Sequence, residues 1–530
     1  LATDADYIIN GLKVGKGAGA VSTNTAVGVS ALAANTTGSE NTVVGYGAFA
    51  LGTTGSQNDA FGKNAMGSGI VTGNANVAIG RNSLASLTSG TLNTAVGSSV
   101  MELNTSGSNN VAVGRLALWS NTTADNNTAI GYGAIYSNQT GLKNTAVGFS
   151  ALRTSTANYN SAFGAEAMYS NTTGTLNTAL GRDSLFDNTT GSYNTAVGQS
   201  ALENNTTASG NTAVGYQAIF GNSTGAGLTA VGHLALSGSN TGSYNVAVGG
   251  NVLQANTSGT ENCGFGYWSL LNNTTGSYNA AYGEETLRFN TTGSNNTAVG
   301  SYALRNSTTA GSNVAVGYGA ASSITTGAPN VAVGANALLQ STTGSRNVCV
   351  GDSAGRGLTT GNRNTFIGGE AGYYASTGSG NTFINPQDSA GYNPVFSLTT
   401  ENDRFICGSS SVTNAYIKVA WTVVSDLRDK IVLGDVPLGL EFVKKLKPIK
   451  YRFKESRDSN VAHGLMKYGF GAQDVLAEEG DDPVIVDTEV ADKLKITDSH
   501  LMPVYANAIR ELSEQIEQLK YEIDTLKGKA

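Results

Sequence analysis

The sequence predicts a mainly β protein: a parallel β-solenoid of about 17-residue coils over residues 1–385, then a small α+β domain ending in a coiled-coil helix. Three observations predict it. A five-residue motif recurs at nearly constant spacing. Charge is divided unevenly along the chain. An apolar seam at heptad spacing runs through the last residues.

The motif is Asn-Thr-Ala-Val-Gly or a close variant. Its closing glycines run from Gly28, Gly45 and Gly62 through Gly80, Gly97 and Gly114 to Gly351 and Gly368. The spacing slips by one only near Gly80 and Gly164. A fixed period of this length is the signature of a solenoid, in which one unit cannot bury its own apolar face but stacked units can. A degenerate first copy is expected at Tyr7–Gly11, and a last one at Asn381–Asn385 before Pro386.

Each unit reads as a short strand, a bend, an Ala-Leu pair and an Asn-Thr-Thr-Gly turn. The pentad alternates with period 2. Val111 and Val113 occupy one of its faces in the copy Asn110–Gly114, so the face carrying Thr25 and Val27 is expected to point inward. Gly28 and its equivalents permit a bend with positive φ. Ala31-Leu32 is expected to form a second strand whose leucine fills the core. Asn35-Thr36-Thr37-Gly38 has the chemistry of a turn. Stacking would align the leading asparagines into an amide ladder, broken only by Leu228. Roughly 22 coils at about 4.8 Å give a rod of about 105 Å. Proline, which cannot donate to a ladder, occurs within it only at Pro329. The Asn-Thr-Thr turns also fit a glycosylation acceptor pattern, a reading that needs a eukaryotic secretory route.

Charge marks the boundary between the two parts. Residues 1–385 are roughly 7% charged and residues 386–530 roughly 28%. The first part has no basic stretch, which argues against nucleic acid as a partner. No apolar run of about 18 residues is present, so no membrane-inserted helix is expected. The N-terminus lacks Met and a signal pattern, so an internal start with more protein upstream is expected. Cys263, Cys349 and Cys407 fit no metal or redox spacing; Cys263 and Cys349 read as buried small apolar residues. His233, His463 and His500 are isolated, so no metal and no cofactor are expected.

Residues 386–424 read as a β connector, with short strands at Phe405–Cys407 and Tyr416–Val424. The heptad helix spans 503–528. Its seam is Ile509, Leu512, Ile516, Leu519, Ile523 and Leu526, with Glu511, Glu514, Glu517, Lys520 and Glu522 keeping the rest solvated. Ile and Leu at alternate seam positions favour two strands when taken alone.

The pentads resemble the head repeats of YadA-like trimeric adhesins and similar arrays in phage tail-fibre proteins. The resemblance implies a trimeric β-roll or triangular β-helix. The region 425–530 resembles the peptidase S74 family, the intramolecular chaperones of endosialidases and tail fibres. Ser425-Asp426-Leu427-Arg428-Asp429-Lys430 matches its Ser-Asp-x-Arg-x-Lys motif. Leu446–Tyr451 matches its Leu-x-Pro-x-x-Tyr strand. Tyr468–Val475 resembles its Gly-Phe-x-Ala-Gln-Glu-Val block, with Asp474 in place of Glu.

This resemblance implies cleavage between Val424 and Ser425, with Ser425 Oγ as nucleophile and a neutral, partly buried Lys430 as base. It implies a homotrimer despite the seam composition. Other virion tail proteins would be attached upstream, and a host cell-surface glycan or protein would be the receptor. The protein would be made in the host cytoplasm and reside in the virion. Tyr46, Tyr132, Tyr193, Tyr244 and Tyr278 sit at variable positions that suit glycan contact and equally suit spacing or inter-chain packing. One alternative is a capsule-depolymerising tailspike, which needs paired carboxylates such as Glu284-Glu285 or Asp183 with Asp187. A second is a bacterial surface adhesin, which needs a membrane β-barrel anchor.

Overall fold

From strand β3 (Thr25–Val27) onward, one three-residue strand falls in every coil as far as β24 (Thr382–Ile384), and each pairs in parallel with the next. The computed structural model describes residues 6–384, 399–408, 427–454, 459–488 and 494–529. It divides into two units, residues 1–409 and 410–530. The first is the expected parallel β-solenoid.

Register is identical from coil to coil. Thr25 pairs with Thr42, Ala26 with Val43 and Val27 with Val44, and the pattern repeats upward. The two slips in spacing do not disturb it: Asp59 pairs with Val77 and Thr145 with Ser161. The extra or missing residue is absorbed in the turns, because the asparagines still meet. Asn76 N donates to Asn58 Oδ1 at 3.0 Å and Asn160 N to Asn144 Oδ1 at 3.0 Å.

The inward face is the opposite of the one expected from the valines. Asn24, Ala26 and their equivalents are buried, whereas Val111 and Val113 are 38% and 36% exposed. The amide decides this. Asn24 Nδ2 reaches across the coil to the Gly38 carbonyl at 2.8 Å, which it can do only from inside. The narrow interior then has room for alanine in the strand and one larger side chain from the bend.

That larger side chain is Leu32 or its equivalent, fully buried as expected, but it does not lie on a second strand. Residues 30–34 are turns, and Leu32 has φ +50°. Its N–H still donates to the Ala48 carbonyl of the next coil at 3.1 Å, so coil stacking continues through the corner.

Cys349 replaces an inward alanine and is buried, and burial pushes its thiol pKa up. Cys263 replaces an outward threonine and is only half-buried, contrary to expectation.

The ends also differ from the sequence reading. Tyr7–Gly11 is not a coil. Strands β1 (Tyr7–Ile9) and β2 (Leu12–Gly15) form an antiparallel hairpin, and β2 pairs antiparallel with β3. Asn10-Gly11 is the reason: both residues have positive φ, +50° and +81°, as a two-residue hairpin turn requires. At the other end, β24 pairs in parallel with β25 (Phe405–Cys407), so the ladder gains a rung from the segment read as a connector. Pro386 and the expected strand at Tyr416–Val424 lie outside the described residues.

The second unit is α+β. Helix α1 (Leu440–Lys445) precedes β26 (Pro448–Lys454) and β27 (Ala462–Phe470), an antiparallel pair. Helix α2 (Ala472–Glu479), the short pair β28 (Val486–Asp487) and β29 (Lys495–Ile496), and helix α3 (Asp498–Lys527) follow. The core is Phe442, Val475, Ile485, Val486, Leu501 and Val504. Helix α3 begins before the expected residue 503 and contains Pro503. Pro503 is the sixth residue of the helix, past the N–H groups that lack intrahelical partners, so it withholds the bond that a backbone N–H there would give to the Ser499 carbonyl. Among the described residues no helix is long and apolar enough to cross a membrane.

Candidate functional site

Two amide ladders organise the shaft. In the first, each pentad asparagine accepts from the next coil's N–H and donates to a turn carbonyl: Asn279 N donates to Asn262 Oδ1 at 3.1 Å, and Asn279 Nδ2 to Gly293 O at 2.9 Å. The second ladder was missed in the sequence, where these asparagines read only as turn formers. Asn121 Nδ2 donates to Asn104 Oδ1 at 2.8 Å, and Asn290 Nδ2 to Asn273 Oδ1 at 2.7 Å. The two ladders meet on one atom. Gly293 O accepts from both Asn279 and Asn290, so both of its lone pairs are used. Leu228 breaks the first ladder as expected, and Asn211 Nδ2 is left without a partner there. Asn171 and Asn188, which open Asn-Thr-Thr turns, are fully buried, so their amides cannot serve as glycosylation acceptors in the folded shaft.

Outside the coil, side chains at one position stack along the axis at the coil repeat. Glu102 Oε2 accepts from Trp119 Nε1 at 3.3 Å, and Trp119 stacks on Tyr136 at 5.1 Å. Arg153 lies 4.9 Å from the Tyr136 ring and 5.9 Å from that of Tyr169, which stacks on Phe186 at 5.2 Å. Such a column spends its ring faces internally and shows edges outward. Tyr132 belongs to a similar stack with Phe149. Tyr46, Tyr193, Tyr244 and Tyr278 are the most exposed of the five tyrosines read as candidate glycan contacts, Tyr193 at 66% and Tyr244 at 65%.

One member of each candidate carboxylate pair is held by arginine. Glu285 is buried and held by Arg305 at 2.5 Å and Arg288 at 3.0 Å, while its neighbour Glu284 is exposed. Burial works to raise the Glu285 pKa. Hydrogen bonds and charge from Arg305 and Arg288 outweigh it and hold the carboxyl below its usual value. A cavity of about 410 Å³ beside it is lined by Tyr302, Tyr318 and Asn336, with Glu285 as its one carboxylate. Asp183 is paired with Arg182 at 2.9 Å.

Because its folded pKa is depressed, Glu285 contributes stability that is fully present above its unfolded value near 4.5 and is lost as pH falls through the lower folded value. Glu285→Gln is therefore expected to destabilise the shaft at pH 7 and to lessen the loss of stability with acid below pH 4.5. Thermal melts of both proteins between pH 3 and 7 check this.

In the second unit, the two downstream motif segments are neighbours. Lys450 pairs with Tyr468 and Tyr451 with Lys467 across β26 and β27. Gly469 lets the Tyr451 ring lie across the hairpin, since a Cβ there would stand 3.1 Å from that ring.

Two further carboxylates have roles that charge patterning did not indicate. Glu511 accepts the Leu440 N–H at 2.8 Å and so caps α1. Glu479 accepts the N–H groups of Ile485 and of Val486, the latter at 3.0 Å. The helix seam from Ile509 to Leu526 is exposed on the single chain.

Val424 and Ser425 lie outside the described residues. Lys430 follows a short 3-10 turn, Leu427–Asp429, and its N–H donates to Leu427 O at 3.2 Å. Lys430 is exposed in the single chain, so the expected partial burial is not present there. Among the described residues no cluster of three or more His, Cys, Asp or Glu is placed to hold a metal. Comparison with protein-family models, curated proteins and solved structures returns no match to this chain.

Proposed function

We propose that this chain is the distal part of a homotrimeric, receptor-binding tail fibre, with a C-terminal module that aligns the three chains and is then released by self-cleavage before Ser425. One observation carries the reading. The shaft and α3 each leave a continuous apolar stripe unpartnered. On the shaft it is the outward strand position, with Phe61, Ile79, Val113, Ile130, Phe163 and Leu180 each more than a third exposed. On α3 it is the heptad seam. Exposed apolar area on this scale marks a protein–protein interface, and an in-register rod joined to a heptad helix suits parallel association of identical chains.

The module answers a physical problem. Successive coils are so alike that three such chains could associate in many registers at similar energy. Association of the C-termini through the seam removes that degeneracy before the shafts pair. In the cleavage step, Ser425 Oγ attacks the Val424 carbonyl carbon while Lys430 takes the hydroxyl proton and passes it to the departing Ser425 nitrogen. Water then hydrolyses the resulting ester, leaving a Val424 carboxylate and a free Ser425 amine. The neutral lysine that this needs would arise from burial in the trimer, where the partner chains exclude water.

The test is a denaturing gel with intact mass and native mass on the full chain and on Ser425→Ala. The expected result is fragments of 424 and 106 residues for the parent and one intact band for the variant, which runs at three times the chain mass under native conditions. One intact band from both would remove the cleavage step. A monomer under native conditions would remove the fibre reading.

A further inference from the structure

We propose that the shaft surface around Arg346 and Arg363 binds an acidic sugar residue, recognised through its carboxylate. The inference rests on the attachment reading above and assigns it a place. Arg346 and Arg363 hold the same position on consecutive coils, so their Cα atoms stand about 4.8 Å apart. The next two residues of that column are Gly380 and Asp403. The column continues across the longer, 23-residue step to the last of these coils: Arg363 N donates to Ser345 O at 3.0 Å, Gly380 N to Asn362 O at 2.9 Å and Asp403 N to Ser379 O at 2.9 Å. The four residues line a cavity of about 490 Å³ with Ser345, Asn362, Ser379 and Asn402.

The polar floor of this cavity is already committed. Asn362 Oδ1 accepts from Ser345 N at 2.8 Å, Ser379 Oγ from Asn362 N at 3.0 Å and Asn402 Oδ1 from Ser379 N at 2.7 Å. These bonds hold the floor rigid and leave recognition to Arg346, Arg363 and Asp403. No carboxylate lies within 4.0 Å of either guanidinium among the described residues, and both arginines are exposed.

The shaft contains an internal comparison. Arg288 and Arg305 are also stacked on consecutive coils, and there the chain supplies the counter-anion itself, Glu285 bonded to both. Like charges facing each other across adjacent strands are unfavourable. The pair Arg346 and Arg363 keeps that arrangement with no carboxylate bonded to either; the carboxylate of its column, Asp403, rests on Gly380 one rung beyond Arg363.

Asp403 narrows the ligand class. Its carboxylate rests on Gly380, on the space a side chain there would fill, and accepts hydrogen bonds only. A ligand seated against both groups presents one anion to the arginines and hydroxyl or amine donors to Asp403. A carboxylated pyranose does so. A sulfate ion presents acceptors to both ends and is repelled at Asp403. The volume suits a single ring with part of its neighbour.

The test titrates glucuronic acid into the full chain by saturation-transfer NMR, with glucose and sodium sulfate as competitors. Glucuronic acid is expected to bind, and sulfate to compete poorly. Arg346→Gln with Arg363→Gln is expected to weaken binding at least tenfold while leaving the thermal melt unchanged, since both side chains are exposed. Asp403→Asn is expected to improve competition by sulfate severalfold. Equal binding of glucose, equal competition by sulfate, or undiminished binding by the double arginine variant would each overturn the site. Adsorption of the same variant to host cells separates the two readings. Loss of glucuronate binding with adsorption intact leaves the fibre reading standing and confines this site to an accessory role. Adsorption intact with glucuronate binding undiminished rejects the site alone.

Discussion

Gly198→Ala is expected to lower the stability of the shaft by about 2–6 kcal/mol, the sum of one strained backbone position and one overpacked contact. Gly198 has φ +130°, a conformation that L side chains rarely adopt. A Cβ at that position would stand 2.4 Å from the Gly215 carbonyl oxygen and 2.7 Å from its carbon. Both atoms are backbone of the next coil, so no rotamer change relieves the overlap; the coils must part. Gly210 is the control. It too has positive φ, +73°, but nothing lies within 4 Å of its Cβ. Gly210→Ala should therefore cost only about 1 kcal/mol, the left-handed penalty alone. Denaturant unfolding of the two variants, with hydrogen exchange on the neighbouring coils, measures the difference. Equal loss from both would mean that stacking distance does not limit the shaft.

Asn279→Ala is expected to cost about 2–4 kcal/mol, dominated by a buried donor left without a partner. Asn279 Oδ1 accepts from Asn296 N at 3.1 Å and from Asn296 Nδ2 at 3.0 Å. The Asn296 amide side chain keeps Ala310 O at 2.9 Å, but its backbone N–H loses its acceptor. Gly293 O keeps Asn290 and loses its second donor. The loss is thus smaller than deleting a lone buried acceptor pair and larger than removing an exposed polar group. A shaft behaves as a row of nearest-neighbour units, so hydrogen-exchange protection should fall most in the coils holding Asn279 and Asn296. A melt and an exchange pattern unchanged from the parent would show that the amide ladder adds nothing to stacking.

Much of the architecture follows from the order of residues alone. The period of the pentad determined that the first unit is a parallel solenoid, because only in-register stacking buries identical side chains above one another. The leading asparagines determined one amide ladder, and the gap at Leu228. The heptad spacing determined a long terminal helix with an apolar seam. In the second unit, the Leu446–Tyr451 and Tyr468–Val475 segments could be named in order, though only folding shows Pro448–Tyr451 paired with Lys467–Phe470 in one hairpin and Ala472–Val475 turned into the helix that follows.

Tertiary structure decided the rest. Alternation within the pentad separates two faces but cannot say which is inside; the reach of the asparagine amide to a carbonyl across the coil puts Asn and Ala in and Val out. The second amide ladder stayed hidden because Asn-Thr-Thr-Gly is good turn chemistry whether or not its asparagine is buried. The paired arginines at 346 and 363 are 17 residues apart in the chain and one rung apart in space, a proximity that exists only once the coils have stacked. Glu285, one of a pair of adjacent acids in the sequence, gains Arg305, 20 residues on, as a partner for the same reason. Local order determines what a coil is; contacts between coils determine which of its side chains face each other, because that distance is set by the rung spacing and not by the chain.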